Sequence, residues 1–188
     1  PYFKGGLSGV AIWVEREYHR AGPGGTGSAK AGGNYAASLL PQIQAEAKGF
    51  SQVCFLDTYE GKYLEELGGM NMFVVMADGT IRTPELTGVI LEGGTRSAIL
   101  RLLRDEGVDV REDKIALSEV VDGIRSGAVA EVFACGTAAV VTPITRLGGD
   151  DFDVEIEVGD KTREIHKRLT DIQWGRAEDP YGWTYRLV

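Results

Sequence analysis

The feature that most constrains this chain is a single lysine set among small residues. Lys30 stands in the run Thr26-Gly27-Ser28-Ala29-Lys30-Ala31-Gly32-Gly33, and Tyr35 follows five positions later. Because the flanking residues have little or no side chain, a flat aromatic ring can approach the lysine amine and be attached to it covalently. This stretch predicts a covalent cofactor site. The alternative, an ordinary solvated lysine, is disfavoured by further motifs along the chain.

Size and charge narrow the class of protein. A chain of 188 residues with 43% hydrophobic residues is long enough for one sizeable core. Its net charge of −8 and scattered basic residues argue against a nucleic-acid partner and favour a small-molecule one. The sequence contains no apolar run near the roughly 20 residues that span a bilayer, no basic-then-apolar leader, and only two cysteines. We therefore expect a cytoplasmic protein without a membrane partner.

Hydrophobic spacing predicts four helices and at least six strands. The helices are expected at residues 34–48, with Asn34 as cap and Gly49 as stop, and at residues 95–105, 117–126 and 161–174. Strands are expected at residues 10–15, 52–56, 71–76, 129–134, 140–147 and 153–158, with a further short strand before residue 71 and an antiparallel meander around the Asp78-Gly79 turn. Because the elements lack regular βαβ spacing, the fold class is α+β.

Four separated motifs occur in one order along the chain. They are Gly24-Gly25-Thr26-Gly27 with Lys30 and Tyr35, Glu66-Leu67-Gly68-Gly69-Met70-Asn71, Gly93-Gly94-Thr95-Arg96, and Gly136-Thr137-Ala138-Ala139. Through them the chain resembles, from Tyr2 to Trp183, the C-terminal cofactor-binding part of the branched-chain amino acid aminotransferases, pyridoxal phosphate enzymes of fold type IV. The resemblance implies a mostly antiparallel sheet or pseudo-barrel with surrounding helices.

The resemblance also implies a function. The parent enzymes move the amino group of leucine, isoleucine or valine to 2-oxoglutarate through a pyridoxal phosphate Schiff base, and they are homodimers. Residues 1–188 are expected to form a single cofactor-binding domain, and the smaller N-terminal domain of such enzymes is expected to be absent, since the chain opens on a proline in a strand-like stretch. Lys30 is then the catalytic residue that holds the cofactor and carries the proton. The resemblance gives Tyr35 a hydrogen bond to the cofactor's phenolic oxygen.

An acid must face the pyridine nitrogen, because a protonated ring is the electron sink of this chemistry. Glu65 and Glu66 are adjacent, so on a strand they point to opposite faces and only one can serve. The family's spacing to Asn71 selects Glu66. By the same resemblance Leu91 packs against one ring face, and Arg20 supports the phosphate, with an exposed salt bridge as the alternative for Arg20.

The phosphate requires backbone N–H groups that converge at a helix start. Gly94 and Thr95, which lead into the predicted helix 95–105, supply that geometry from the sequence alone. The resemblance adds the Thr137 hydroxyl to the phosphate site and gives the backbone amides of Ala138 and Ala139 to the substrate carboxylate. Tyr2 is also predicted to contact the substrate.

Other functions are weighed against this one. A sister enzyme of the same fold, a D-amino acid aminotransferase or an aminodeoxychorismate lyase, is the nearest alternative. A nucleotide-binding phosphate loop is excluded because Lys30 is not followed directly by Ser or Thr. A truncated domain without catalytic activity is a further alternative. No metal is expected, because His19 and His166 are far apart and no Cys or His stands at ligand spacing.

Overall fold

A computed structural model describes residue 7 and residues 9–187 of the chain. The helices are α1 (Gly32–Ala47), α2 (Gly94–Asp105), α3 (Leu117–Ser126) and α4 (Asp160–Gln173). The strands are β1 (Val10–Glu15), β2 (Gln52–Leu56), β3 (Leu64–Leu67), β4 (Asn71–Met76), β5 (Ile81–Pro84), β6 (Val110–Asp113), β7 (Val129–Gly136), β8 (Val140–Gly148) and β9 (Asp153–Glu155). The predicted α+β class is confirmed.

All nine of these strands belong to one mixed sheet. Its order is β3-β2-β1-β8-β7-β4-β5-β6, and β9 pairs with the far end of β8. Five strand pairs are antiparallel, namely β2 with β3, β4 with β5, β4 with β7, β7 with β8, and β8 with β9. The pairs β1–β2, β1–β8 and β5–β6 are parallel. The sheet is therefore mostly antiparallel, as predicted.

The sheet curls until its two ends meet. Tyr63, just before β3, forms an antiparallel bridge with Ala116, which follows β6. The Leu64 N–H donates to the Ile115 carbonyl at 2.9 Å, and the Leu117 N–H donates to the Lys62 carbonyl at 2.9 Å. These bonds connect the β3 edge to the segment after β6, so the predicted pseudo-barrel is confirmed.

Apolar residues fill both faces of the curled sheet. In β1, Ile12 and Val14 point into a core that α3 also enters with Val120, whereas Trp13 belongs to a separate cluster under α1. This alternation follows from the two-residue period of a strand. A third cluster packs α2 and α4 against β4 and β7 around the stacked rings of Phe73 and Phe133, whose centroids are 5.0 Å apart.

Four details of the predicted elements are corrected. Helix α1 begins at Gly32, so Asn34 lies inside its first turn and is not the cap. The predicted local meander is interrupted, because β4 pairs with β5 and with the distant β7 rather than with β3. Strand β6 was not predicted, and β9 is shorter than expected. Among the helices in the described part of the chain, none combines the length and apolar character that crossing a membrane requires.

Candidate cofactor site

The lysine loop is fastened by the side chain of Asn34, which is buried in the first turn of α1. The Asn34 amide donates to the carbonyls of Thr26 at 2.8 Å and Ala29 at 2.9 Å, and the Thr26 hydroxyl donates back to the Asn34 side-chain oxygen at 2.8 Å. Lys30 is exposed, and its Nζ atom lies 6.0 Å from the centroid of the Tyr35 ring. The loop and the first turn of α1 therefore place the lysine amine close to the tyrosine ring.

Replacing Asn34 with alanine is expected to loosen this loop. The change removes three part-buried side-chain hydrogen bonds that hold the loop against α1, which costs about 1–3 kcal/mol. Urea unfolding measures the loss, and amide hydrogen exchange over residues 27–31 should become faster. Ser28→Ala, at an exposed position of the same loop, should change stability by less than about 0.5 kcal/mol. Equal effects for the two variants would contradict the assigned role of Asn34.

A buried ion pair lies beneath the lysine loop. Arg20 and Glu66 contact each other, and each side chain is only 4% exposed. The Nη2 atom of Arg20 also donates to the carbonyls of Gly27, at 2.9 Å, and Val89. The Leu91 N–H donates to Glu66 Oε1 at 2.8 Å. Arg20 thus joins the lysine loop to the acid predicted to face the cofactor ring, and its salt bridge is buried rather than exposed.

This environment sets the pKa of Glu66 and its capacity for further hydrogen bonds. Burial raises the pKa of Glu66 to about 7, while the Arg20 guanidinium and the Leu91 N–H act in the opposite direction. The second oxygen of the carboxylate leaves room for a further donor, because an ionised carboxylate accepts several hydrogen bonds. A protonated ring nitrogen is such a donor.

Glu65 lies on the other face of β3, as the alternation of strand side chains requires. It lines a cavity bordered by Tyr63, Pro84 and Val89. Burial, followed by the negative charge of Asp57, raises the pKa of Glu65 to about 7. The structure therefore separates the two acids as predicted.

Glu65→Gln is expected to stabilise the protein more at pH 8 than at pH 5. The folded-state pKa of Glu65 is raised from 4.5 to about 7, so its contribution to stability is present at low pH and is lost as the pH rises through 7. Gln carries no charge and avoids this loss, which we put at about 1–2 kcal/mol after allowing for solvent screening. Urea unfolding of both proteins at the two pH values measures it. A stability difference that is the same at both would contradict the expectation.

A second cavity, of about 390 Å³, lies at the start of α2. Gly94, Thr95 and Thr137, three of the four residues predicted to contact the phosphate, line it together. Arg20, the fourth, does not line this cavity and contacts Glu66 and Gly27 instead. The first N–H groups of a helix lack partners within the helix and attract anions. Trp183 and Thr184 from the C-terminal segment also line the cavity. Gly94, Thr95 and Thr137 thus border one space at a helix N-terminus.

Asn71 connects this helix start to the acid. Its side-chain amide donates to the Leu91 carbonyl at 2.8 Å. Gly93, the residue before α2, has φ of +74°, and a Cβ atom built there would lie 2.0 Å from Asn71 Oδ1. Only glycine fits this close approach in that backbone conformation. A Cβ atom at Gly94, in contrast, would meet nothing within 4 Å.

Ala138 and Ala139 lie in the turn between β7 and β8, directly after Thr137. The following residue, Val140, has φ of +57°, which is an unfavourable conformation for a β-branched residue. Strained backbone of this kind is concentrated at functional sites. The turn therefore fits both the predicted carboxylate site and the simpler alternative of a tight connection between strands.

The predicted site residues form three groups that are connected to one another. Lys30 and Tyr35 form the first, Glu66 with Leu91 the second, and the residues around Thr95 the third. Arg20 bonds the Gly27 carbonyl of the lysine loop and pairs with Glu66, while Asn71 bonds the Leu91 carbonyl and lies against Gly93, the residue before α2. Tyr2 lies outside the described residues.

The sequence interpretation missed several residues of the site. Asn34 was predicted as a helix cap, and Asn71 served only as a spacing marker. Buried amides within glycine-rich runs are the signal that would have found both. Trp183, whose ring stacks on Tyr181 with centroids 4.2 Å apart, gave no signal because the C-terminal segment has no hydrophobic period.

Comparison with known proteins identifies the family of this chain. The chain is 47% identical over 190 residues to a probable branched-chain-amino-acid aminotransferase of Streptomyces coelicolor, covering 100% of this chain and 52% of that protein. It is 47% identical over 192 residues to the branched-chain-amino-acid aminotransferase of Mycobacterium tuberculosis, covering 99% of this chain and 52% of that protein. The chain thus spans about half the length of the curated relatives it matches.

Solved structures show the same fold. The branched-chain amino acid aminotransferase of Escherichia coli matches with a TM-score of 0.84 at 31% identity, over 100% of this chain and 59% of that one. The branched-chain aminotransferase of the thermophilic archaeon Thermoproteus uzoniensis, solved with norvaline, matches with a TM-score of 0.80 at 31% identity, over 94% of this chain and 55% of that one. A further branched-chain amino acid aminotransferase was solved in complex with N-(5'-phosphopyridoxyl)-L-glutamate, and it matches with a TM-score of 0.80 at 30% identity, over 95% of this chain and 57% of that one. A family model described as amino-transferase class IV matches residues 13–147. The chain belongs to the class IV aminotransferase family.

Proposed function

We propose that this chain is the cofactor-binding part of a pyridoxal phosphate-dependent branched-chain amino acid aminotransferase. The observation that carries the proposal is the buried Arg20, which bonds the lysine loop and pairs with Glu66, together with Asn71, which bonds Leu91 and lies against Gly93 just before the helix start. The names of the relatives, of which the chain spans about half, support the substrate class. The amino group of leucine, isoleucine or valine would pass to 2-oxoglutarate.

The residues of this site fit pyridoxal phosphate. Glu66 is a buried carboxylate with capacity for another donor, and the cavity beside Gly94, Thr95 and Thr137 lies at a helix N-terminus that favours an anion. The open space at Gly94 leaves room next to this backbone. An apolar or cationic ligand would not use this combination of an acid and a helix start.

When bound, the cofactor supplies an aldehyde for attachment to an amine and a ring that accepts electrons. Lys30 offers the amine that attaches to the cofactor and afterwards carries the proton at its Nζ atom. The Glu66 carboxylate holds the proton on the ring nitrogen, and Arg20 orients that carboxylate. Tyr35, which is 36% exposed, donates from its hydroxyl to the phenolic oxygen.

The remaining residues position two anionic groups, the cofactor phosphate and the substrate carboxylate. The backbone N–H groups of Gly94 and Thr95 and the Thr137 hydroxyl hold the phosphate, and Leu91 covers one face of the ring. The N–H groups of Ala138 and Ala139 receive the substrate carboxylate. The proposal for Tyr2 as a substrate contact rests on the family resemblance alone.

The proposal also covers the oligomeric state, the partners and the cellular location of the protein. The resemblance supports a homodimer, and light scattering from the purified protein measures the subunit number. The net charge of −8 supports a small-molecule partner and no nucleic acid. The low cysteine content supports a cytoplasmic location.

Substrate assays separate this function from its alternatives. The purified chain, loaded with pyridoxal phosphate, is incubated with 2-oxoglutarate as the amino acceptor and with either L-leucine or D-alanine as the donor, and the 2-oxo acid formed from the donor is measured. Product from L-leucine is the expected result. Product from D-alanine alone would favour the D-amino acid aminotransferase, and no product from either amino acid would favour the non-catalytic domain.

A further inference from the structure

The cavity beside Glu65 is distinct from the cofactor site. It has a volume of about 250 Å³ and lies between the start of β3, the end of β5 and the loop through Val89 and Ile90. Lys30, Glu66, Thr95 and Thr137 do not line it. Its apolar walls include Pro23, Leu64, Pro84, Val89 and Ile90.

Glu65 is a buried acid that makes no hydrogen bond to the described residues in this cavity, and the nearest cationic influence on it is the charge of the buried Arg20. The residue is 9% exposed, and within the described part of the chain its carboxylate forms no hydrogen bond and no ion pair. The neighbouring acids differ in this respect. The Asp57 carboxylate accepts hydrogen bonds from the N–H groups of Glu60, Lys62 and Tyr63 at 2.7–2.8 Å, and Asp113 pairs with Arg82 at 3.1 Å. A buried carboxylate is costly when unpaired, so a cation that reaches Glu65 would stabilise the cavity.

The charged residues around the cavity determine which sign of ligand charge is favoured. Of the residues that the structure describes, five acids line the cavity, and Lys114 is the one cation that does so. The Lys114 Nζ atom lies 5.3 Å from the centroid of the Tyr63 ring. A carboxylate or phosphate ligand is therefore disfavoured, and a ligand with a positive charge is favoured.

The apolar walls select an organic cation over a metal ion. Calcium and magnesium require six or more oxygen ligands, whereas both oxygens of Asp57 and of Asp113 are already engaged by backbone N–H groups or by Arg82. Among the residues that the structure describes, no three His, Cys, Asp or Glu side chains are grouped closely enough to hold a metal ion. A short alkyl chain fits the walls, while an ammonium group supplies donors to Glu65. We propose that this cavity binds a small aliphatic primary ammonium, with Glu65 as its anionic partner.

Titration with n-butylammonium chloride tests this proposal in solution. Saturable binding is expected, with shifts of the amide resonances of Val89 and Ile90. Glu65→Gln should weaken the affinity about tenfold or more, because a charge-assisted hydrogen bond is lost. Glu60→Gln, an exposed acid at the rim, should change it less than about twofold.

Two further measurements keep the test decisive if Glu65→Gln does not fold. In the wild-type protein, 1-butanol has a similar shape without the charge and should bind at least about tenfold more weakly. Lys30→Ala should bind n-butylammonium with unchanged affinity, so failure of the cofactor proposal leaves this result intact. Absence of saturable binding, or equal binding of the amine and the alcohol, would overturn the proposal.

Discussion

Lys30→Ala is expected to abolish covalent attachment of pyridoxal phosphate. The wild-type protein, incubated with the cofactor and then dialysed, should retain a visible absorbance band that the variant lacks. The reason is chemical, because alanine has no amine to attach and the loop offers a single lysine next to Tyr35. The spectrum of each dialysed protein measures the effect.

Lys167→Ala is the matched control for this variant. Lys167 is an exposed lysine of α4 that pairs with Asp171 at 2.5 Å, so its loss should leave the band unchanged. A band of equal intensity in Lys30→Ala would show that another amine holds the cofactor. Absence of the band from the wild-type protein would contradict the proposal that these residues alone retain it.

Arg20→Met is expected to cause the largest loss of stability among single substitutions at this site. It leaves the buried Glu66 without its cation and leaves the carbonyls of Gly27 and Val89 without that donor. Breaking a buried ion pair on one side costs about 3–5 kcal/mol, which corresponds to a fall in Tm of about 6–20 °C for a chain of this size. Urea and thermal unfolding at pH 8 measure the change.

Two controls identify the cause of that loss. Arg16→Met removes an exposed pair with Asp151, so it should cost less than about 1 kcal/mol. The double variant Arg20→Met/Glu66→Gln should recover a large part of the stability, because no unpaired charge then stays buried. If the double variant is no more stable than Arg20→Met, the lost stability does not come from the Glu66 charge.

Local sequence patterns predicted most of the helices and strands but not their partners. The period of apolar residues located all four helices within about two residues, because each helix buries one face. The parallel pairing of β1 with β2 and β8 joins distant segments, and neither strand's own alternation specifies it. Strand β6 has the sequence Val-Arg-Glu-Asp, which contains one apolar residue and so gave no strand signal.

Several residues of the candidate site were likewise predictable from the sequence, whereas their contacts with one another were not. Glu66 was separated from Glu65 by strand alternation and by motif spacing, and the structure places the two acids in different environments. The partner of Arg20 was not predictable, because the ion pair forms only when the segment before the lysine loop packs against β3. The role of Asn34 was likewise hidden, since its hydrogen bonds depend on how the loop folds back over the start of α1.

The most direct test of the central claim is chemical trapping followed by peptide mapping. The protein is incubated with pyridoxal phosphate, reduced with borohydride and digested with trypsin, and the peptides are identified by mass spectrometry. A phosphopyridoxyl group on Lys30 blocks cleavage there, so we expect a modified peptide that spans residues 21–48. Separate unmodified peptides of residues 21–30 and 31–48, with the label on another lysine, would contradict it.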